Sequence, residues 1–368
     1  MSGGTWGRYS WTVWAPLVSL LVLLVSWGRH PPPVVAAVIG VVLVGAVLAG
    51  VHHAEVVAHR VGEPFGSLLL AVAVTVIEVA LILTLMLSGG TGTSTYARDT
   101  VFAAVMIACN GIVGLSLLVG ALRHHLANFN AEGTGSALAT VLTLASVTLV
   151  LPRFTTSAPG PEFSSSQLAF AAVCSLALYG LFVFTQTIRH RDFFLPVGND
   201  REGPHDDDED GHADPPSSRT AWLSFLLLFL ALDAVVGLAK VESPSIKSAV
   251  QSAGFPAASV GVVIALMVLL PESIAAVRAA ARDKVQISLN LAYGSAIASI
   301  GLTIPTIAVA SAFIDDPLAL GLEPMQMVLL AITAVVSVLT VVPGRSKPLN
   351  GGVHLVLLAA FLFLSFQP

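Results

Sequence analysis

Two glutamates stand where a membrane-spanning segment would ordinarily carry no charge. Gly66 to Leu87 reads GSLLLAVAVTVIEVALILTLML, 22 residues whose single ionisable group is Glu78. Phe255 to Ala281 is almost wholly apolar, and Glu272 follows Pro271 inside it. A run of this length crosses a hydrocarbon core of ~30 Å as a helix. A carboxylate at its centre costs ~2.5–3.5 kcal/mol on insertion scales, so the default reading of such a group is functional. The chemistry open to two buried carboxyls is ion exchange. Hard cations need oxygen ligands, and Ca²⁺ takes about 6–8 of them. Two carboxylates neutralise one Ca²⁺, and carbonyls, hydroxyls and water complete its shell. The same pair also takes protons: low dielectric and a like neighbour favour the neutral carboxyl, whereas a bound cation favours the charged one. One site therefore holds either a divalent ion or about two protons, the chemical basis of antiport.

Oxygen donors lie at matching depth. Thr75 is one turn before Glu78, and Ser295 and Ser299 lie in the span after Glu272. Asn110 is their first-half counterpart. Pro271 has no N–H, which deprives the Met267 carbonyl of its helical partner, and Pro305 does the same to Gly301. The predicted site is therefore Glu78 and Glu272 as cation ligands, lined by Thr75, Asn110, Met267, Ser295 and Ser299.

A second cluster lies in AGVHHAEVVAHRVGEPFG. His52, Glu55 and His59 fall at i, i+3 and i+7, one face of a helix. Glu55, His59 and Glu63 could relay protons at the membrane surface. The plainer reading is a solvated amphipathic helix end. A zinc hydrolase would want H-E-x-x-H on a helix. His53 and Glu55 are not adjacent and no H-E-x-x-H occurs in the chain, so an intramembrane metallohydrolase is a remote alternative.

The elements that must position these residues follow from composition and hydropathy. The chain is 55% hydrophobic and 11% charged with mean hydropathy +0.85. Soluble domains carry about 25% charged residues. These figures indicate an all-α polytopic membrane protein in lipid; with the two acids they lead to the expectation of inorganic cations as partners, and of no nucleic acid, no cofactor and no enzymatic site. Cys109 and Cys174 lie in apolar segments and read as small packing residues. Trp11 to Trp27 reads as a retained first helix, because no small-x-small cleavage site precedes the turn at Arg29. Eleven spans are predicted, at 11–28, 34–52, 66–88, 100–122, 135–151, 166–186, 220–240, 256–278, 285–313, 324–342 and 351–366. Residues 188–219 hold an acidic tract, Asp206 to Asp210, whose composition predicts disorder. The tract could concentrate cations by its field, or serve only as a solvated linker. The predicted organisation is an N-terminal helix (1–33), a five-helix unit (34–187), an acidic linker (188–219) and a second five-helix unit (220–368).

Of the 17 Lys and Arg residues, 12 fall on the side of the N-terminus and the 188–219 linker. The positive-inside rule places that side in the cytoplasm and the C-terminus outside. Five is odd, so two tandem five-helix units must lie in opposite orientations, the inverted-repeat plan of secondary transporters. Ala97-Arg98-Asp99-Thr100-Val101 and Ala281-Arg282-Asp283-Lys284-Val285 share A-R-D-x-V, each opening the span after an acid-bearing one. Extending that register sets Asn110-Gly111 against Gly294-Ser295.

AHRVGEPFGSLLLAVAVTVIEVALI, the N-G-x-x-G stretch from Asn110, the acidic mid-chain loop, LLPESIAAVRAA and VQISLNLAYGSAIASIGLTIP together resemble bacterial calcium/proton antiporters. These form the cation/proton exchanger branch of the calcium/cation antiporter superfamily. The resemblance covers nearly the whole chain after the first helix. It implies eleven helices, an inverted five-plus-five repeat, a bacterial inner-membrane location and one cation-binding glutamate per repeat, falling on Glu78 and Glu272. Many members carry G-N-x-x-E at each acid. Here the stretches are Val74-Thr75-Val76-Ile77-Glu78 and Val268-Leu269-Leu270-Pro271-Glu272, with neither Gly nor Asn. Fewer oxygens surround the acids, so exchange of Na⁺ or K⁺ for protons stays open beside exchange of Ca²⁺.

Overall fold

The structure is a computed structural model that describes residues 10–29, 31–62, 65–87, 93–196, 216–313 and 317–367. The acidic tract and Glu63 lie outside the described residues. The chain is all-α and polytopic. Ten helices are long and apolar enough to cross a membrane: α2 (Pro33–Val61), α3 (Leu69–Leu87 within Phe65–Leu87), α4 (Thr93–His124), α5 (Ala131–Arg153), α6 (Ser165–Arg189), α7 (Ser218–Ser252), α8 (Ala258–Ala280), α9 (Val285–Ala310), α10 (Pro324–Val341) and α11 (Pro348–Phe366). The eleventh, α1 (Ser10–Ser26), is apolar but shorter.

Local signals set several ends. Pro33 opens α2 with the fixed φ a first turn needs, and Gly62 closes it at φ 77°. Ser164 and Gln167 form a capping box on α6. Two helices run past their expected ends at 52 and 240. α2 continues because Ala54, Val57 and Ala58 keep an apolar face against the bundle. α7 continues through Pro244, with Val241, Glu242 and Ser243 buried.

The packing has the pattern of a two-fold exchange between α2–α6 and α7–α11. The first helices of the two sets, α2 and α7, pack on each other. α3 packs on α9 as α8 packs on α4, and α6 packs on α9 as α11 packs on α4. α1 stands outside this pattern, against α2 and α7, where Leu23 fills the space a side chain at Gly237 would need. Short antiparallel strands β1 (Ala127–Asn128) and β2 (Arg345–Ser346) tie the α4–α5 corner to the α10–α11 corner.

Candidate ion site

Glu78 and Glu272 come from helices α3 and α8, which hold equivalent places in the two sets. Glu78 is buried, and its Oε1 accepts a hydrogen bond from Ser299 Oγ at 2.6 Å. Thr303 lies one turn beyond Ser299 on α9, against the same carboxyl. Its hydroxyl is fully buried beside that carboxyl. Glu272 Oε2 is buried without a partner among the described residues. Both Glu78 and Glu55 stand within electrostatic reach of Glu272.

The two carboxyls share a cavity of about 250 Å³ lined by α3, α6, α8 and α9, with Ala104 from α4. Thr75, Ser295 and Ser299 line it. The lining runs from the mid-span acids to Leu70 near the start of α3, Gln186 and Thr187 near the end of α6, and Ile287 near the start of α9. These ends lie on one face of the bundle, beside the α4–α5 and α8–α9 corners. Those corners are joined by Asn130 N donating to Gln286 Oε1 at 2.7 Å.

The opposite face is tied shut. Arg98 is buried, pairs with Asp99 at 2.9 Å and Glu323 at 3.2 Å, and donates to the Gly321 carbonyl at 3.1 Å. Gln326 Nε2 donates to Asp99 Oδ1 at 3.3 Å. Gly261 of α8 lies so close to the Asp99–Thr100 backbone that an added Cβ would sit 2.8 Å from it. The second copy of A-R-D-x-V behaves differently: Arg282, Asp283 and Lys284 are exposed, with Asp283 at φ 61° in the turn before α9.

Two predicted lining residues stand elsewhere. Asn110 is fully buried in a π-helical turn of α4, Ile107–Ile112, and its side chain reaches α10 and α11. Its Nδ2 donates to Thr333 Oγ1 at 3.0 Å, and its Oδ1 pairs with His354 Nδ1 at 3.2 Å. The extra residue in a π turn rotates the helix face, which depth alone does not reveal. Met267 packs its side chain against the apolar core and does not line the cavity. α8 runs unbroken through Pro271, so the Met267 carbonyl points along the helix rather than into the cavity.

Residues missed from the sequence are Thr303, Asn290 and the α6 pair Gln186–Thr187. Spacing could have found Thr303, which continues Ser295 and Ser299 at intervals of four. The polar Thr185-Gln186-Thr187 run inside a span was a second readable signal. In the His cluster, His53 Nε2 pairs with the Thr12 carbonyl of α1 at 3.0 Å and faces away from the cavity. Glu55 and His59 are exposed. Among the described residues no three His, Cys, Asp or Glu side chains are grouped to hold a metal ion. The cluster therefore has no zinc-site geometry. A transported ion would depend on two carboxyls and their hydroxyl neighbours, and Glu272 Oε2, without a partner among the described residues, is suited to a cation.

The sodium/calcium exchanger protein family model matches residues 32–188 and 223–367, most of the chain and both five-helix sets. The chain belongs to this family. The exchanger is 48% identical to y4hA of Sinorhizobium fredii, over 89% of this chain and 87% of the relative. It is 34% identical to the sodium-potassium/proton antiporter ChaA of Escherichia coli, over 95% and 94%. Its fold matches YfkE, a Ca²⁺/H⁺ antiporter, with a TM-score of 0.73 at 16% identity, covering 98% and 99% of the two chains. These matches make the protein a membrane antiporter of the calcium/cation type.

Proposed function

We propose that this exchanger expels Ca²⁺ from the cytoplasm in return for protons, with Glu78 and Glu272 binding the ion and the protons in turn. The observation that carries the reading is the meeting of these two acids, one from each set, in a single cavity. With the N-terminus in the cytoplasm by the Lys and Arg distribution, the cavity opens inward. A cation arriving there displaces protons from the two carboxyls. Ser299 and Thr75 contribute oxygens, with Ser295 nearer the mouth and Thr303 behind Glu78. A switch in packing then exposes the site outward, where protons displace the cation. Glu55, within reach of Glu272, passes protons at the inner mouth, and His59 lies one turn further out. No chemical bond in a substrate is made or broken, so the protein is read as a transporter rather than an enzyme, in the inner membrane of a bacterium.

The test is proton-driven uptake of radioactive calcium by everted vesicles. Glu78→Gln and Glu272→Gln are each expected to abolish it, and near-normal uptake by either would overturn the assignment. A second reading, exchange of Na⁺ or K⁺ for protons, is favoured by a specific pair of observations. The relative ChaA is a sodium-potassium/proton antiporter, and no third carboxylate joins the pair as a metal-binding group among the described residues. Running the assay with radioactive sodium and rubidium separates the two.

A further inference from the structure

One buried carboxyl takes no part in the site just described. Glu242 lies within the membrane-spanning length of α7 and is 3% exposed, and its Oε1 has no hydrogen-bond partner. Ser243, next to it, is fully buried and its hydroxyl is also unpartnered. Pro244 follows, so the carbonyl of Lys240 lacks the N–H it would accept from in a regular helix. Two side-chain oxygens without partners among the described residues, and a carbonyl relieved of its helical donor, thus lie on one turn of one helix. Burying such groups is unfavourable, and an ionisable residue inside a membrane is functional by default.

The position is repeated. Leu48-Ala49-Gly50-Val51 of α2 and Leu238-Ala239-Lys240-Val241 of α7 share L-A-x-V, and each is followed, after one helix end, by G-x-P at Gly62 and Gly254. In this register His52-His53 matches Glu242-Ser243. Each first helix of a five-helix set therefore carries an ionisable residue at the same place. In an inverted repeat the two residues serve opposite faces: His52 belongs to the face on which the cavity opens, and Glu242 to the closed one. Depth agrees. Lys247 Nζ donates to the Leu85 carbonyl of α3 at 3.4 Å. Glu242 precedes that contact by five residues on α7 and Glu78 by seven on α3, so the two carboxyls stand within about one helical turn of the same level. α7 contributes nothing to the present cavity.

We propose that Glu242 is a proton-carrying carboxyl of the transport cycle, serving the ion site from the side that is closed in this structure. The inference rests on the antiporter reading above. The step balances without a further reactant. Glu242 takes a proton from water on the far side, passes it to the Glu78 carboxylate as the cation leaves, and returns to its ionised form. The ionisable groups on the helices packed against α7 are His52, His53, Glu55, His59 and Arg60 of α2, Glu78 of α3, and Glu272 and Arg278 of α8. Those of α7 itself nearest to Glu242 are Lys240, over the Trp27 ring, and Lys247, over the Tyr96 ring. None of them is an alternative acid on the closed side.

The experiment compares two fluxes in proteoliposomes holding the full-length exchanger: net uptake of the transported cation driven by a pH gradient, and exchange of labelled for unlabelled cation with no gradient. The probes are radioactive calcium, sodium and rubidium. Glu242→Gln is expected to lower net uptake at least tenfold while leaving cation–cation exchange within twofold of wild type, and Glu242→Asp to restore most of the net uptake. Normal net uptake by Glu242→Gln would overturn the proposal. So would an equal loss of both fluxes in protein that unfolds at the wild-type temperature in detergent, since that marks a merely structural role. Glu78→Gln, run alongside, is expected to lose both fluxes. Its retaining them would instead sink the ion-site reading, so the two failures are distinguishable.

Discussion

Helices α4 and α9 hold equivalent places in the two five-helix sets, open with related sequences, and do opposite things. The first half of α9 faces the cavity: Gly294 has nothing within 4 Å of where a Cβ would stand, Ser295 lines the cavity, and the Ser299 hydroxyl bonds to Glu78. The matching part of α4 is packed shut against α11. A Cβ on Gly114 would meet His354 at 3.0 Å and the Gly351 carbonyl at 3.2 Å, and one on Gly351 would come within 2.7 Å of the Gly114 carbonyl. Asn110, set against Gly294 by the sequence register, is bonded to Thr333 and His354. His354 in turn pairs with Thr340 at 3.2 Å. Phe102 and Phe361 stack edge-to-face further along the same seam. Near-symmetric halves thus hold an open seam on one side and a closed one on the other, as an exchanger caught facing one way requires. Small residues and buried hydrogen bonds close the second seam, the usual means by which helices adhere where solvent offers no hydrophobic drive.

The largest expected effect breaks the closed seam directly. Gly351→Leu cannot be housed against α4, and overpacking of this kind costs ~1–3 kcal/mol or more. Uptake should fall at least tenfold and the unfolding temperature in detergent should drop. A folded, fully active Gly351→Leu would show that α4 and α11 are not held in contact. Next comes the polar seam. Asn110→Ala leaves the His354 and Thr333 groups buried without their partner, at a cost of ~1–2 kcal/mol. His354→Ala should cost a similar amount, and the double variant clearly less than the sum, because both remove one network. Additive losses would mean that the two side chains act separately. Neither variant should alter cation affinity at the open face, since neither side chain lines the cavity.

On the open side the effects shrink. Ser299→Ala removes a hydrogen bond to Glu78, worth ~1.5 kcal/mol at the low end for a charged acceptor, so the half-saturating cation concentration should rise roughly tenfold. Equilibrium binding of the radioactive cation to purified protein measures it, and an unchanged affinity would remove Ser299 from the site. The smallest effect is expected at Gly294→Ala, where open space leaves stability within about 0.5 kcal/mol of wild type. Gly114→Ala, its counterpart in the closed seam, should be clearly destabilising. If the two alanines behave alike, the contrast between the seams is wrong.

Much of this organisation is readable in the chain. Two long apolar runs with one acid each, an odd number of spans on either side of a polar linker, and the shared A-R-D-x-V point to the repeat and to two candidate ion-binding positions. Serine spacing on α9 finds Ser295 and Ser299, and would have found Thr303 had it been carried one turn further. Hydropathy, however, reports only depth. It set Asn110 at the level of the acids but not on their side of the helix, because a π turn re-aims α4. Nor could the motif A-R-D-x-V tell a buried ion-pair network at Arg98–Asp99 from an exposed turn at Arg282–Asp283.

The sequence by itself determined that this is a membrane protein of repeated helices with two acids at equivalent places, because transfer of polar groups into hydrocarbon is so unfavourable that their rare exceptions stand out in composition alone. Only the tertiary structure decided which groups meet. Glu78 finds Ser299, Glu272 finds Glu78 and Glu55, and Asn110 leaves the site for His354, since helix rotation and the choice of neighbour depend on side-chain packing across segments far apart in the chain. The side on which the cavity opens is decided at the same level: nearly equivalent seams cannot both be packed and both be open, and the sequence register does not say which is which.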